Sequence, residues 1–179
     1  MGQAEPRLFF ALWPDARTRE ALAERSRALD GALSGGRPIP RENLHVTLHF
    51  LGRVAEPERA RAAASRVRPR SIGLQFDRFG FWPEPQVAWL GMSEAPDPLL
   101  ALVADLSTEL GSEGFATRSR AYRPHVTLYR GVREVAELPQ AERLDWHPEQ
   151  FVLVRSTRDE AGSNYEIVER WPLGEPAAG

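Results

Sequence analysis

The 179-residue chain predicts an α+β fold, mainly antiparallel sheet with helices packed on the outside. Three observations lead there. Short apolar or alternating runs recur as strands. Three segments of helical character interrupt them. Several strands also neighbour one another across short connections, where a doubly wound sheet would place a helix after nearly every strand. At 42% hydrophobic and 27% charged residues, the chain suits one domain, or two small lobes sharing one fold.

Residues 7–13 (RLFFALW) suit a buried strand. Pro14 opens a helix, as proline does at a first helical position, and Ala21, Leu22, Leu29 and Leu33 recur near helical spacing until Gly35-Gly36 ends it. Residues 37–43 hold two prolines and lead into a strand bearing LHVTLHFLG at 44–52. Residues 56–68 read as a second helix, rich in Ala and Arg. Residues 71–81 alternate Ile72, Leu74 and Phe76 with polar partners, as a strand does; 87–91 (VAWLG) is another, and FGFWPEPQ between them reads as a hairpin-like loop with exposed aromatics. In 97–110, Leu99, Leu102, Val103, Leu106 and Leu110 keep a 3.6-residue period and predict the third helix. A strand follows with PHVTLYRG at 124–131, and 151–157 and 165–171 form a closing antiparallel pair around Gly162-Ser163-Asn164. The ends, 1–6 and 174–179, are expected to be loose.

What is missing narrows the chemistry. There is no Cys, which removes disulfides, thiol nucleophiles and Cys-based metal sites. There is no Lys either, so no lysyl-adenylate, Schiff base or P-loop lysine contact forms. No G-x-S-x-G elbow or G-x-G-x-x-G loop occurs. A net charge of −2 does not demand nucleic acid, although a local basic patch is enough to bind it. No apolar run approaches the ~20 residues of a membrane helix. The start, MGQAEP, lacks a signal pattern, and Pro6 occupies the Ser or Thr position of a myristoylation site. A cytoplasmic monomer is expected.

The chain has four histidines, and two of them sit in a repeated His-Val-Thr-Leu, at 45–48 and 125–128. In a strand, side chains alternate, so His45 and Thr47 share one face and Val46 and Leu48 the other; the same holds for His125 and Thr127 against Val126 and Leu128. Two such strands face to face present two imidazoles and two hydroxyls around a concave site. One imidazole takes a proton from an attacking water while the other gives one to a departing sugar oxygen, each transfer worth about 10²–10⁴-fold in rate. The threonine hydroxyls donate to the non-bridging phosphate oxygens. Neither a metal nor a nucleotide cofactor is needed. A lone strand histidine is ordinarily a structural, partly buried residue; the matched pair favours catalysis.

His45 and His49 lie four apart, a metal-binding spacing on a helix, but a strand separates them by about 13 Å. His49 is read as a supporting residue on the cleft face, or a tolerated one, and His147, before Pro148, as a surface loop residue.

These residues resemble the two-histidine phosphoesterase superfamily and, within it, the RNA 2′,3′-cyclic phosphodiesterases, also called 2′–5′ RNA ligase-like proteins. The resemblance rests on His45-Val46-Thr47-Leu48 followed by Phe50-Leu51-Gly52, and on Arg123-Pro124-His125-Val126-Thr127-Leu128 followed by Arg130. It extends to RLFFALWP, VAWLGM, the third helix and the closing LVRST…YEIVERWPL, nearly the whole chain. It implies one domain over 1–179 made of two pseudo-symmetric lobes around a central cleft, with one H-x-T-x motif per lobe. It implies hydrolysis of an RNA-terminal 2′,3′-cyclic phosphate to a 2′-phosphate without metal or cofactor, with ATP-independent 2′–5′ joining of RNA ends in some members. His45 becomes the proton donor and His125 the acceptor, though the near-symmetric motifs leave that order open from sequence alone. Thr47, Thr127 and Arg130 become phosphate contacts. By strict alternation Arg130 shares the face of Val126 and Leu128, so it reaches the groove only from the strand end or after a bulge. Phe81 and Trp82 are candidates for base stacking, against local packing; Arg118, Arg120 and Arg123 are a candidate phosphate-tracking rim, against a solvated loop. Two alternatives stand beside the RNA-end hydrolase: a phosphodiesterase on a small cyclic or 2′–5′-linked nucleotide, and a non-catalytic module binding RNA ends.

Overall fold

The expected α+β architecture is present in the computed structural model, which describes residues 6–117, 120–159 and 162–174. The elements run β1 (Arg7–Leu12), α1 (Ala16–Arg27), β2 (Leu33–Pro38), a 3-10 turn (Arg41–Asn43), β3 (Val46–Arg53), α2 (Pro57–Arg66), β4 (Leu74–Phe76), β5 (Arg78–Trp82), β6 (Val87–Gly91), α3 (Asp97–Ser112), β7 (His125–Val135), β8 (Leu144–Trp146), β9 (Gln150–Asp159) and β10 (Gly162–Pro172). Residues 1–5 and 175–179 of the expected loose ends lie outside the described residues, as does Arg118. No described helix is long and apolar enough to cross a membrane.

Every pairing among the described strands is antiparallel. The main sheet runs β10-β9-β1-β3-β7-β6-β5, with β2 also on β7, while β4 and β8 pair apart from it. One edge of β7 serves two strands. β2 pairs with it from Tyr129 to Val135, and β3 touches it only at Val46 opposite Val126. The sheet is therefore two half-sheets joined through a single residue pair, each contributing one motif strand. Past that pair β3 and β7 diverge, and the cleft lies between them.

The alternation in β1 sets the two faces. Leu8, Phe10 and Leu12 join Leu22 of α1, Ala60 and Ala64 of α2, and Leu99, Leu102 and Leu106 of α3 in one core. Phe9 and Ala11 point the other way and, with Val152 and Val154, form a small cluster against Trp13 and Tyr165. Helices thus cover one face and leave the other to the cleft. Each fully buried Leu or Phe contributes about 1.5–3 kcal/mol.

Local details depart from the sequence expectations. α1 starts at Ala16, capped by the Asp15 carboxylate, which accepts from the Thr18 amide at 2.8 Å. It ends at Arg27, not at Gly35-Gly36; those glycines lie within β2 at φ +71° and +83°. A Cβ on Gly36 would stand 2.8 Å from Val132 Cγ2, so glycine lets this strand approach β7 closely. The run 71–81 is two strands in different sheets, β4 and β5, and β8 had no sequence signal. The aromatics of the 79–86 segment are not exposed: Phe79 is buried, and Phe81 and Trp82 are half-buried within β5.

Candidate active site

Both His-Val-Thr-Leu segments end on the same irregularity. In β3, Thr47 pairs with Ala11 and His49 with Phe10, so Leu48 is an extra residue. In β7, Thr127 pairs with Trp89 and Tyr129 with Ala88, so Leu128 is extra. A bulge of this kind shifts the phase of every side chain beyond it. Leu48 and His49 are consecutively buried and Phe50 emerges; Leu128 and Tyr129 are consecutively buried and Arg130 emerges. Arg130 thereby joins His125 and Thr127 along the cleft, by the bulge route that alternation left open. His49 is moved inward, 2% exposed, with Nε2 at 3.1 Å from the Ala116 carbonyl, and supports the wall of the groove that adjoins the cleft beside Phe50. His147 is exposed in a loop.

The two imidazoles are held alike. Nδ1 of His45 lies 2.6 Å from the Asn43 carbonyl, and Nδ1 of His125 lies 2.8 Å from the Arg123 carbonyl. A carbonyl only accepts, so Nδ1 carries hydrogen in both rings, and in a neutral ring Nε2 holds the lone pair. Nε2 of His45 is 3.0 Å from Thr47 Oγ1. Their aromatic supports differ. Trp13 stacks flat on His45 at 5.0 Å and 8°, with Phe9 and the edge of Tyr165 completing the enclosure. His125 meets the edge of Trp82 at 4.6 Å and 82°. Trp82 is thus local packing that supports an imidazole. The Tyr122 hydroxyl donates to the Thr47 carbonyl at 2.9 Å, a tie between the two motif segments beyond the Val46–Val126 pair.

His45, Thr47, His125, Thr127 and Arg130 line one cleft of about 340 Å³. Arg7 and Arg158 also line it, and no carboxylate does among the described residues. A concave site with cationic walls attracts anions. Burial pushes the His45 imidazole down from 6.5 to about 4, the Asn43 carbonyl works against that, and the positive charge of His125 and Arg130 adds to the fall. At neutral pH His45 is therefore neutral and accepts from the Thr47 hydroxyl.

That has a measurable consequence. The unfolded chain protonates His45 near 6.5 and the folded chain only near 4, so the folded state loses stability as pH falls through this window. At about 1.4 kcal/mol per pH unit, the loss approaches about 3 kcal/mol. His45→Gln is expected to lose about that much less between pH 7 and pH 4 than the unmodified chain, as read by urea unfolding.

Sequence reasoning did not identify Phe50, Ser156, Ser163 or Tyr165 as cleft-lining residues. Phe50 is 53% exposed, with the Arg7 guanidinium 5.5 Å from its ring centre. The signal was available: Phe50 stands five residues after His45, as Arg130 stands five after His125. Because the motif strands run antiparallel, these counterparts fall at opposite exits. Phe50 lies with His125 and Thr47 at a groove of about 490 Å³ that also reaches Arg120 and Arg123. Arg130 lies with His45 and Thr127 at the other exit.

Known proteins resemble this chain over nearly its whole length in sequence and fold. The RNA 2′,3′-cyclic phosphodiesterase of Escherichia coli (strain K12) is 35% identical over 175 residues, covering 95% of this chain and 98% of that protein. The crystal structure of E. coli LigT in apo form matches with a TM-score of 0.86 at 30% identity, over 97% of this chain and 100% of that one. E. coli LigT complexed with 3′-AMP matches with a TM-score of 0.86 at 31% identity, over 96% of this chain and 100% of that one. The family model described as the 2′-5′ RNA ligase superfamily matches residues 14–160, and the chain belongs to that superfamily.

Proposed function

We propose that this chain hydrolyses RNA-terminal 2′,3′-cyclic phosphate to a 2′-phosphate, with His45 as proton donor and His125 as proton acceptor. The carrying observation is that both imidazoles, both threonine hydroxyls and Arg130 line a single cleft without a described carboxylate. The whole chain acts as one unit, each half-sheet supplying one motif. The relatives' activity and the 3′-AMP complex of LigT support the same substrate class.

The asymmetry between the exits supports the order of proton transfer. In a terminal nucleotide the base flanks the 2′ oxygen and the 5′ carbon flanks the 3′ oxygen. A base laid on exposed Phe50 stands on the His125 side, which turns the 3′ oxygen toward His45. In-line attack then brings water from the His125 side. His125 Nε2 takes the water proton, and His45 Nε2 protonates the departing 3′ oxygen. Phosphorus gains the water oxygen, the P–O3′ bond breaks, and a 2′-phosphomonoester with a free 3′-hydroxyl remains. Thr47, Thr127 and Arg130 stabilise the charge growing on the non-bridging oxygens. His45 must acquire its proton for this role. The entering phosphate supplies the reason: its negative charge beside the ring favours the imidazolium, against the burial and the Arg130 charge that depress His45.

A substrate with sulfur in place of the 3′ oxygen tests the order, because a thiolate leaves without protonation. His45→Ala is expected to regain activity on it and His125→Ala to stay inactive; the reverse pattern would exchange the two roles. Phe50→Ala is expected to raise KM about tenfold, from the loss of about 1–3 kcal/mol of base stacking.

A further inference from the structure

The exit beside His45 opens into a groove of about 840 Å³, larger than the cleft itself, that continues past Arg130 to Arg37, Asn43 and Arg158. A terminal nucleotide seated in the cleft leaves this space unfilled. Three arginines, Arg37, Arg130 and Arg158, line it against one carboxylate, Glu42, among the described residues. Several arginines elsewhere on the surface are paired with carboxylates: Arg41 with Glu42 and Glu20, Arg66 with Glu109 and Glu113, Arg155 with Glu166. Arg37 and Arg130 have no carboxylate within 4.0 Å among the described residues, and they stand directly opposite one another in the β2–β7 ladder. Like charges in that position destabilise a sheet. The acid lining the groove, Glu42, is already engaged by Arg41 at 3.0 Å. Gly35 and Gly36, both at positive φ, precede Arg37 and bring its strand close against β7.

We propose that Arg37, with Arg158, forms a second anion subsite that takes the phosphodiester immediately 5′ of the terminal nucleotide. This rests on the hydrolase reading and deepens it: the substrate is a phosphodiester chain, and the chain leaves the cleft along β2. The direction agrees with the pose in which the 5′ carbon lies on the His45 side.

The test compares two substrates on the unmodified protein and on Arg37→Gln: a nucleoside 2′,3′-cyclic monophosphate, and a trinucleotide with the same cyclic end. The expected result is a lower KM for the trinucleotide on the unmodified protein. Arg37→Gln raises that KM about tenfold, as loss of one charged contact does, and makes it less salt-dependent. Turnover of the mononucleotide stays within twofold in the variant, which also certifies its fold. Equal KM values for the two substrates, or an equal effect of Arg37→Gln on both, overturns the subsite and leaves the hydrolase reading standing. Failure of the unmodified protein to hydrolyse either substrate overturns the hydrolase reading and the subsite with it.

Discussion

His45→Ala and His125→Ala each lower kcat on a cyclic-phosphate-ended oligonucleotide by about 10²–10⁴-fold, the worth of one positioned proton transfer. In the proposed mechanism the two groups act in one step, so the double variant is expected to fall little further than the worse single one. Folding is expected to survive in both. Neither ring belongs to the helix-facing core, which is built from Leu8, Phe10, Val46, Leu48, Val126, Leu128 and their helical partners. The Val46–Val126 pair that joins the half-sheets is made by backbone and apolar side chains, and an alanine at the position before either valine leaves it intact. Steady-state kinetics with a parallel urea titration separates lost chemistry from lost structure. Turnover near that of the unmodified chain in either variant would remove the ring from the mechanism.

Gly80→Ala is the second large effect, and it acts on stability first. Gly80 of β5 stands opposite Trp89 of β6, and the indole lies across its Cα. A Cβ there would meet Trp89 Cζ2 at 2.0 Å and Cη2 at 2.3 Å, distances no packing tolerates. Gly91 closes the other side, where an added Cβ would stand 2.7 Å from Cζ3. The indole has to move as a rigid plate, at a cost of about 1–3 kcal/mol. Trp82 packs on Trp89 at 5.1 Å and on His125 at 4.6 Å, so the displacement also loosens the support of the His125 ring. Both the unfolding free energy and kcat are expected to fall. Adding Trp89→Val to the same chain removes the clash and recovers part of the stability; no recovery would place the damage elsewhere.

Much of this site was legible because strand chemistry is local. The repeated tetrapeptide named both imidazoles and both hydroxyls, and period-2 alternation put each pair on one face. Alternation could not place the residues just beyond each motif. The bulges at Leu48 and Leu128 are properties of the pairing with β1 and β6, and they bury His49 while presenting Phe50 and Arg130. β2 was hidden because Gly35-Gly36 and Pro38 read as helix-ending and loop residues, yet the same glycines permit close pairing with β7. β8 is three residues long and gains its order from β4, far away in sequence. The depressed His45 was equally invisible, since Trp13, Phe9 and Tyr165 assemble around it only in three dimensions.

In the proposed mechanism two imidazoles flank one phosphorus and exchange protons through it. The sharpest test is a trinucleotide ending in 2′,3′-cyclic phosphate, incubated with the protein in excess EDTA and followed by ³¹P NMR. Loss of the cyclic resonance and growth of a single 2′-phosphomonoester are expected. An unchanged cyclic resonance, or a 3′-phosphomonoester in its place, would refute the mechanism.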